Sequence, residues 1–352
     1  YLRLHLPRAR SRGGSAEAGG ARKRYAGLVE VDGQPRVQIT GAGAGPILVM
    51  GTTGDSATPL AGTRKMADAL QDGRLVIVTG DIVNSGQRPQ LWPIAQELLG
   101  GIASPVLVVL GNHDIEFMAR GMRPVRRYGE GWTNFSRAFH PFLHFSLSLG
   151  GYDFVGFDSG PAERTPRILT RGLHPSSVAL LRGDILRAAE RGQRGVVLFS
   201  HAPSRAATFT GVAPRSSGFF GRMRYGNTAF ERLLVEAAGR GQRVLHLAGH
   251  THWSDVFELD QPSRQFRRWP LEALSPCPRP LLSPVALITT QAAGHSGLFS
   301  KANARGYGYS LITLGGSHPE LEVFRYGTKA STQCERNLAR RLADTSVGSK
   351  LL

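Results

Sequence analysis

The chain has 352 residues, of which 41% are hydrophobic and 20% are charged. This composition is typical of a globular protein and excludes an intrinsically disordered chain, which would have too few apolar residues to form a core. No apolar run approaches the roughly 18 residues that span a bilayer, so the sequence predicts no transmembrane helix. The length predicts one large domain with appendages.

The chain is strongly basic, with 43 Lys and Arg against 26 Asp and Glu and a formal net charge of +17. Such a charge attracts polyanions, and nucleic acid is the obvious candidate partner because phosphate contacts dominate that kind of affinity. The basic residues are nearly all arginines scattered along the chain. Nucleic acid therefore stays a candidate partner that the sequence does not favour.

Two cysteines occur, Cys277 and Cys334. This count defines neither a disulfide framework nor a zinc knot, so we expect two unpaired thiols. The chain begins at Tyr1 and not at Met, which leaves open a removed signal peptide or anchor. We expect a soluble protein, cytoplasmic or exported, and the sequence assigns neither the compartment nor the oligomeric state.

The first part of the chain predicts an arm, a hairpin and then an alternating α/β pattern. Residues 1–27 are rich in Arg, Gly and Ala without hydrophobic periodicity, which indicates a flexible basic arm. Residues 28–40 alternate apolar and polar side chains around Asp32-Gly33, as a hairpin does. From Pro46 onward the predicted elements are strands 47–50, 75–79 and 106–110 separated by helices 63–70 and 91–99.

The second part predicts more mixed elements and a C-terminal β-rich extension. A hairpin at 145–157 is followed by helix 176–190, strand 195–199, helix 228–238, strands 243–247, 255–259, 285–290, 308–314 and 321–324, and a terminal helix at 333–343. Without a repeat, this order indicates a layered α/β domain. We predict a basic arm at 1–27, a core at 28–260, an extension at 261–326 that completes or flanks the core, and a helix and tail at 327–352.

Short polar clusters stand where five of these strands end. They are GDSA at 54–57, GDIVN at 80–84, GNHD at 111–114, SHAP at 200–203 and GHTH at 249–252. Loops at the carboxyl ends of strands line the binding crevice of α/β sheets, so clusters far apart in sequence can meet there. Asp and Asn oxygens with imidazoles suit Zn, Mn or Fe better than Ca, and a carboxylate can bridge two such ions. The sequence therefore predicts a binuclear metal site.

GDIVN, GNHD, the histidine of SHAP and GHTH resemble the ordered signature motifs of calcineurin-like metallophosphoesterases, a pattern related to that of purple acid phosphatases. The resemblance covers roughly residues 46–259. It implies a four-layer αββα sandwich of two mixed β-sheets flanked by helices. It also implies hydrolysis of a phosphomonoester or phosphodiester by a metal-activated hydroxide, with two ions of Mn, Fe or Zn as cofactors.

The resemblance also implies a role for each motif residue. Asp81 is expected to bridge both metal ions. Asn112, His201 and His250 would complete one metal site, and His252 would complete the other together with an Asp of the first motif. His113 would face the substrate and stabilise the departing oxygen.

The first motif departs from the family pattern. The family usually supplies Asp-x-His or Asp-x-Gly directly after the first strand, whereas here strand 47–50 runs into Gly-Thr-Thr-Gly-Asp-Ser-Ala without a histidine. Asp55 is the only carboxylate in that loop, and the alternative occupant is Thr52. We favour Asp55 because a cation site needs its charge. Loss of an imidazole weakens the expected metal site and makes activity less secure than fold.

A second departure concerns the partners of His113. The family often pairs this histidine with an Asp at the position that Asn84 occupies here, and Asn can orient the ring but cannot stabilise its charge. Asp114 is the nearby carboxylate that we expect to support the site. The two stretches 115–142 and 204–225 are read either as substrate-covering loops or as solvated loops.

Two functions of other classes compete with the phosphoesterase. The altered first motif is compatible with a metal-poor pseudoenzyme that acts as a binding or scaffold domain. The positive charge is compatible with a nuclease, whose activity would fall steeply with salt. The scattered arginines make the nuclease the less favoured of the two.

Overall fold

The structure is a computed structural model that describes residues 27–31, 34–38, 47–50, 75–83, 85–100, 105–115, 129–160, 171–206, 222–270, 273–275, 277–290 and 308–325. The predicted basic arm up to residue 26, helix 63–70 and the terminal helix 333–343 lie outside these ranges. So do the predicted site residues Asp55 and Asn84 and the alternative residue Thr52.

The predicted strands and helices within the described residues lie close to their predicted bounds, whereas strands Gln265–Arg268 and Arg279–Pro280 and helices Asn112–Ile115 and Gly129–Ala138 were not predicted. The strands are β1 Gly27–Val31, β2 Gln34–Gln38, β3 Ile47–Met50, β4 Leu75–Val78, β5 Val106–Val108, β6 His144–Leu149, β7 Tyr152–Phe157, β8 Gly195–Phe199, β9 Val244–Ala248, β10 Asp255–Asp260, β11 Gln265–Arg268, β12 Arg279–Pro280, β13 Val285–Thr289, β14 Gly308–Thr313 and β15 Glu320–Arg325. The helices are α1 Leu91–Gly100, α2 Asn112–Ile115, α3 Gly129–Ala138, α4 Pro175–Glu190 and α5 Asn227–Gly239.

The strands form two mixed sheets. The nine-stranded sheet has the order β1-β2-β6-β7-β8-β9-β13-β10-β11, and the six-stranded sheet has the order β12-β15-β14-β3-β4-β5. Strands β7, β8 and β9 run parallel in the first sheet, and β3, β4 and β5 run parallel in the second. The predicted N-terminal hairpin is confirmed as the antiparallel pair β1–β2.

Alternation along the strands separates three apolar layers. In β4, Leu75 and Ile77 pack into a core shared with the large sheet, whereas Val76 and Val78 pack outward against Trp92 of α1. Helices α4 and α5 cover the outer face of the large sheet through a third cluster that includes Leu181 and Phe230. Side chains of successive strand residues point to opposite faces, so each sheet buries both faces. The predicted four-layer αββα class is confirmed.

The stretch 115–142 is not a loop throughout, because α3 lies within it. Helix α3 buries Gly131, Phe135 and Ala138, which share one helical face. A Cβ at Gly131 would lie 1.6 Å from the carbonyl oxygen of Ile115, so glycine allows α3 to approach α2. The two glycines in its first turn lower the intrinsic helix propensity, so the sequence pattern did not predict this helix.

The C-terminal extension supplies strands to both sheets. Strand β13 lies between β9 and β10 of the large sheet, and β14 pairs with both β15 and β3 of the small one. Cys277 is disulfide-bonded, so the expectation of an unpaired thiol at this position is wrong. None of the helices in the described part of the chain is long and apolar enough to cross a membrane.

Candidate metal centre

Four strands deliver the predicted ligands to one place. Strands β4 and β5 are parallel neighbours that lead into Asp81 and Asn112, and β8 and β9 are parallel neighbours that lead into His201 and His250. Parallel neighbours present their carboxyl ends at the same sheet edge. Each sheet therefore contributes two of the four side chains.

Two glycines let the loops of the small sheet approach closely. A Cβ at Gly111 would lie 2.1 Å from the backbone nitrogen of Asp81, and a Cβ at Gly80 would lie 2.7 Å from the nitrogen of Gly111. Gly80 also has a φ of 85°, which L side chains rarely adopt. The GDIVN and GNHD motifs need these glycines because their backbones touch.

Three buried side chains form a candidate ligand cluster. One ligand atom each of Asp81, His201 and His250 lies within 4.8 Å of the others. His201 Nε2 is 3.2 Å from Asp81 Oδ2 and 3.1 Å from His250 Nδ1. The same nitrogen is 2.9 Å from Asn112 Oδ1. Ligands about 2.1 Å from one ion lie about 3.0 to 3.4 Å apart at octahedral or tetrahedral angles, so the spacing fits a shared ion.

Hydrogen bonding fixes the tautomer of His201. Its Nδ1 lies 2.7 Å from the carbonyl oxygen of Thr79, which can only accept, so Nδ1 carries the proton. In the neutral ring, Nε2 then presents a lone pair to the carboxylate of Asp81 and the amide oxygen of Asn112. Acceptors that face each other repel unless a proton or a metal ion lies between them. This donor set of one carboxylate, one amide oxygen and two imidazoles fits a Zn, Mn or Fe ion.

Backbone strain concentrates at the predicted ligands. Among the described residues, four that are not glycine have a positive φ, and three of them are Asp81 at 54°, His250 at 67° and His252 at 57°. The fourth is Arg264 at 52°. A left-handed conformation in such residues costs of the order of 1 kcal/mol or more, and proteins retain it mainly at functional sites. The surrounding loops therefore stabilise these residues in a backbone conformation that is unfavourable by itself.

Residues 46–254 match the model of the calcineurin-like phosphoesterase family. The chain belongs to this family. The sequence-based resemblance is thereby confirmed, and the metal-dependent phosphate-ester hydrolases of the family share the fold described above. The four described motif loops all lie within the matched residues.

The chain is similar to one curated protein and to one solved structure. Over 60 residues the chain is 42% identical to the glycerophosphodiester phosphodiesterase GpdQ of Enterobacter lignolyticus, which covers 17% of this chain and 19% of the relative. A purple acid phosphatase from yellow lupin (Lupinus luteus) seeds superposes with a TM-score of 0.56 at 14% identity, over 83% of this chain and 54% of the lupin chain. This chain thus spans about half of the lupin enzyme, and the likeness shows a shared fold.

His113 lies beside Asp81 and is partly exposed. Its backbone N–H donates to Asp81 Oδ1 at 2.8 Å, and its ring Nε2 is 4.0 Å from Asp81 Oδ2. The His113 side chain is 14% exposed, whereas those of Asp81 and His201 are each 2% exposed. Burial alone would raise the pKa of Asp81, but attraction to the neighbouring histidines, His201 first, holds that pKa well below its usual value. Asp81 is therefore ionised, as a metal ligand must be.

Asp114 accepts backbone hydrogen bonds from both motif loops. Its Oδ1 accepts from the backbone N–H groups of Ile82 at 2.7 Å and Val83 at 3.0 Å, and its Oδ2 accepts from Gly111 at 2.9 Å. Burial, followed by repulsion from Asp81, raises the pKa of Asp114 to about 7. Asp114 joins the GDIVN and GNHD loops that carry Asp81 and Asn112.

The predicted second metal site is only partly within the described residues. His252 is half-buried on the loop after β9, and it is not a member of the three-residue cluster found in the described part of the chain. Its expected partner Asp55 lies outside the described ranges, as does Asn84, the expected orienting residue of His113. Both stay predictions.

Sequence reasoning missed a buried arginine near the cluster. Arg171 is 5% exposed, and burial lowers the pKa of its guanidinium to about 10 while attraction to Asp81 opposes this shift. Arg171 is therefore charged at neutral pH. No motif marks it in the sequence, because it is one of many arginines and lies 30 residues from the nearest predicted ligand.

Proposed function

We propose that the chain is a metal-dependent phosphoesterase that hydrolyses a phosphomonoester or a phosphodiester at a binuclear centre. The observation that carries this proposal is the convergence of Asp81, Asn112 and His250 on the Nε2 lone pair of His201. Family membership supports the reaction class.

The first ion would be held by Asp81, Asn112, His201 and His250. The second would be held by His252 and Asp55, with Asp81 shared between the two ions. When bound, ions of this type polarise phosphate oxygens and lower the pKa of water at the site. Mn, Fe or Zn fits the donor atoms.

His113 is proposed to donate a proton to the departing oxygen of the ester. Its backbone bond to Asp81 anchors the residue, and its ring remains accessible beside the buried ligands. Asn84 is proposed to orient this ring. A general acid must reach the leaving oxygen directly, which the partly exposed position of the His113 ring allows.

The nature of the ester is open between the two classes, and one relative favours a diester as the first to test. That relative is named a glycerophosphodiester phosphodiesterase. A small diester such as bis(para-nitrophenyl) phosphate and the monoester para-nitrophenyl phosphate separate the classes, because the same product is released from both.

The test measures metal content by elemental analysis and turnover of both esters with added manganese, for the wild type and for His250→Ala. We expect about two metal ions per wild-type chain, and loss of metal with at least about a 100-fold loss of turnover in the variant. His144→Ala is the matched control, because this histidine pairs with Asp184 on the helical side of the large sheet. The control should keep metal and turnover.

The alternative pseudoenzyme makes a different prediction in the same experiment. A wild type with one ion or none, and no turnover of either ester, would favour a binding or scaffold domain and Thr52 as the occupant of the first motif. The nuclease alternative predicts turnover of nucleic acid that falls steeply between low and physiological salt.

A further inference from the structure

We propose that Arg171 is a substrate-binding residue that holds a phosphate oxygen of the ester beside the Asp81 cluster. This inference rests on the proposed phosphoesterase function. It assigns to the site a side chain that none of the five motifs contains.

The backbone around Arg171 is tied to the loop that carries His201. Gly172, the next residue, donates its N–H to the carbonyl oxygen of Ser159 at 2.8 Å. The hydroxyl of the same Ser159 accepts from the N–H of Ala202 at 2.8 Å, and Ala202 directly follows His201. Ser159 therefore joins Arg171 to the ligand loop.

A second connection fixes Arg171 from the other side. Its carbonyl oxygen accepts from the N–H of Arg224 at 2.7 Å, while the preceding residue Met223 donates to the carbonyl oxygen of Pro203 at 2.8 Å. Gly160 has a φ of 133°, and a Cβ there would lie 2.8 Å from the Cα of Arg171. The backbone around Arg171 is thus connected to both Ala202 and Pro203 of the SHAP motif.

The guanidinium of Arg171 is buried and charged, and the Asp81 carboxylate attracts it. A buried cation is unfavourable unless anions compensate it. Once a divalent ion binds to Asp81, the ion and Arg171 together outweigh the negative charge of Asp81 and Asp114. The described part of the site then has a surplus of positive charge, which an anionic ligand would balance.

A phosphate group fits this surplus better than a neutral ligand. Guanidinium groups donate two parallel N–H bonds to phosphate oxygens, and arginine keeps its charge throughout the neutral pH range. The backbone of Arg171 is tied to the SHAP loop that follows β8, whereas His113 follows β5 of the small sheet. An ester between them would have one phosphate oxygen at Arg171 and its leaving oxygen near His113.

The test compares Arg171→Met and Arg171→Lys with the wild type, using metal-loaded protein and inorganic phosphate as the ligand. Calorimetry gives the phosphate Kd, elemental analysis gives metal per chain, and steady-state kinetics gives KM and kcat. Arg187→Met is the control, because Arg187 pairs with Asp184 on α4. We expect phosphate binding to weaken about 10- to 100-fold in Arg171→Met and less in Arg171→Lys, which keeps the charge but loses the paired bonds.

Metal content should stay at the wild-type level in both variants, because removing a cation beside Asp81 does not weaken cation binding. A purely structural role predicts instead that both variants melt earlier while the phosphate Kd is unchanged, and this result would overturn the inference. If Arg171→Met does not fold, Arg171→Lys decides in the same way. If the wild type hydrolyses esters and Arg171→Met binds phosphate as tightly as the wild type, this inference alone is refuted. If the wild type binds no phosphate and hydrolyses no ester, the proposed function is refuted as well.

Discussion

Replacing Asp114 with asparagine tests whether this carboxylate joins the two motif loops or acts on His113. Oδ1 of Asp114 accepts two backbone N–H groups, from Ile82 and Val83, and Oδ2 accepts a third from Gly111. An amide has one acceptor and one donor end. In either orientation of the asparagine, its NH₂ group faces at least one backbone N–H, so a buried donor loses its partner.

The expected cost of Asp114→Asn follows from these bonds. A buried donor left unsatisfied costs about 1 to 3 kcal/mol. Because the pKa of Asp114 is raised to about 7, removing its charge offsets part of this cost, so we expect the free energy of unfolding at neutral pH to fall by about 1 to 2 kcal/mol. The measurement is urea unfolding of the metal-free protein. Asp81 and Asn112 shift with their loops, so metal affinity should also fall, by about 10- to 100-fold.

Asp184→Asn is the control for this experiment. Asp184 is also buried and pairs with His144 and Arg187, but it lies on α4 and joins no motif loop. It should lose stability without losing metal affinity. An Asp114→Asn variant with wild-type stability and wild-type metal affinity would refute the reasoning, because the three bonds would then contribute nothing to the site.

Two further predictions concern burial and close contact. His140 donates from Nε2 to the carbonyl of Val108 and accepts at Nδ1, and burial lowers its pKa to about 4. In the unfolded chain His140 binds a proton below about pH 6.5, so the free energy of unfolding falls by up to about 3 kcal/mol as the pH falls from there to about 4. In His140→Gln this loss of stability between about pH 6.5 and 4 should be absent. Gly111→Ala places a Cβ 2.1 Å from the nitrogen of Asp81 and should abolish metal binding, whereas Gly239→Ala has open space and should keep it in the same metal assay.

The sequence predicts the motif loops well because their signals are local. An apolar run such as Leu75–Val78 followed by Gly80-Asp81 shows both a buried strand and the place where it ends. Family resemblance then supplies the layer architecture, which no single strand contains. The bounds of the predicted strands agree within one or two residues for the same reason, since apolar runs end where the polar clusters begin. Strands β11 and β12 were not predicted, because they are short and mostly exposed and contain no apolar run.

Long-range features lie beyond this kind of reasoning. Nothing in Val285–Thr289 shows that it inserts between β9 and β10, because strand order depends on contacts far apart in the chain. Helix α3 depends on the contact of Gly131 with Ile115, which compensates for weak helix propensity. The backbone of Arg171 is tied to the His201 loop through Gly172 and Ser159, a connection that sequence spacing does not encode.

The altered first motif bears on the proposed second metal site more than on the proposed first. Asp81, Asn112, His201 and His250 already converge without any residue of the first motif. A protein with a weakened second site would therefore still be expected to bind one ion. Such a protein could lose turnover while it still binds one metal ion. The number of metal ions per chain is therefore the more direct measure of the effect of the altered first motif.

The first site also spans the two sheets, which links metal affinity to the way they pack. Asp81 and Asn112 follow strands of the small sheet, and His201 and His250 follow strands of the large one. The bond from His201 Nδ1 to the carbonyl of Thr79 crosses between the sheets at the site itself. An ion bound by all four residues would act as a cross-link that stabilises the folded state in proportion to the logarithm of its concentration above Kd. Close packing of the apolar layer between the sheets therefore holds the ligands about 3 Å apart, since any sliding of one sheet past the other changes these distances directly.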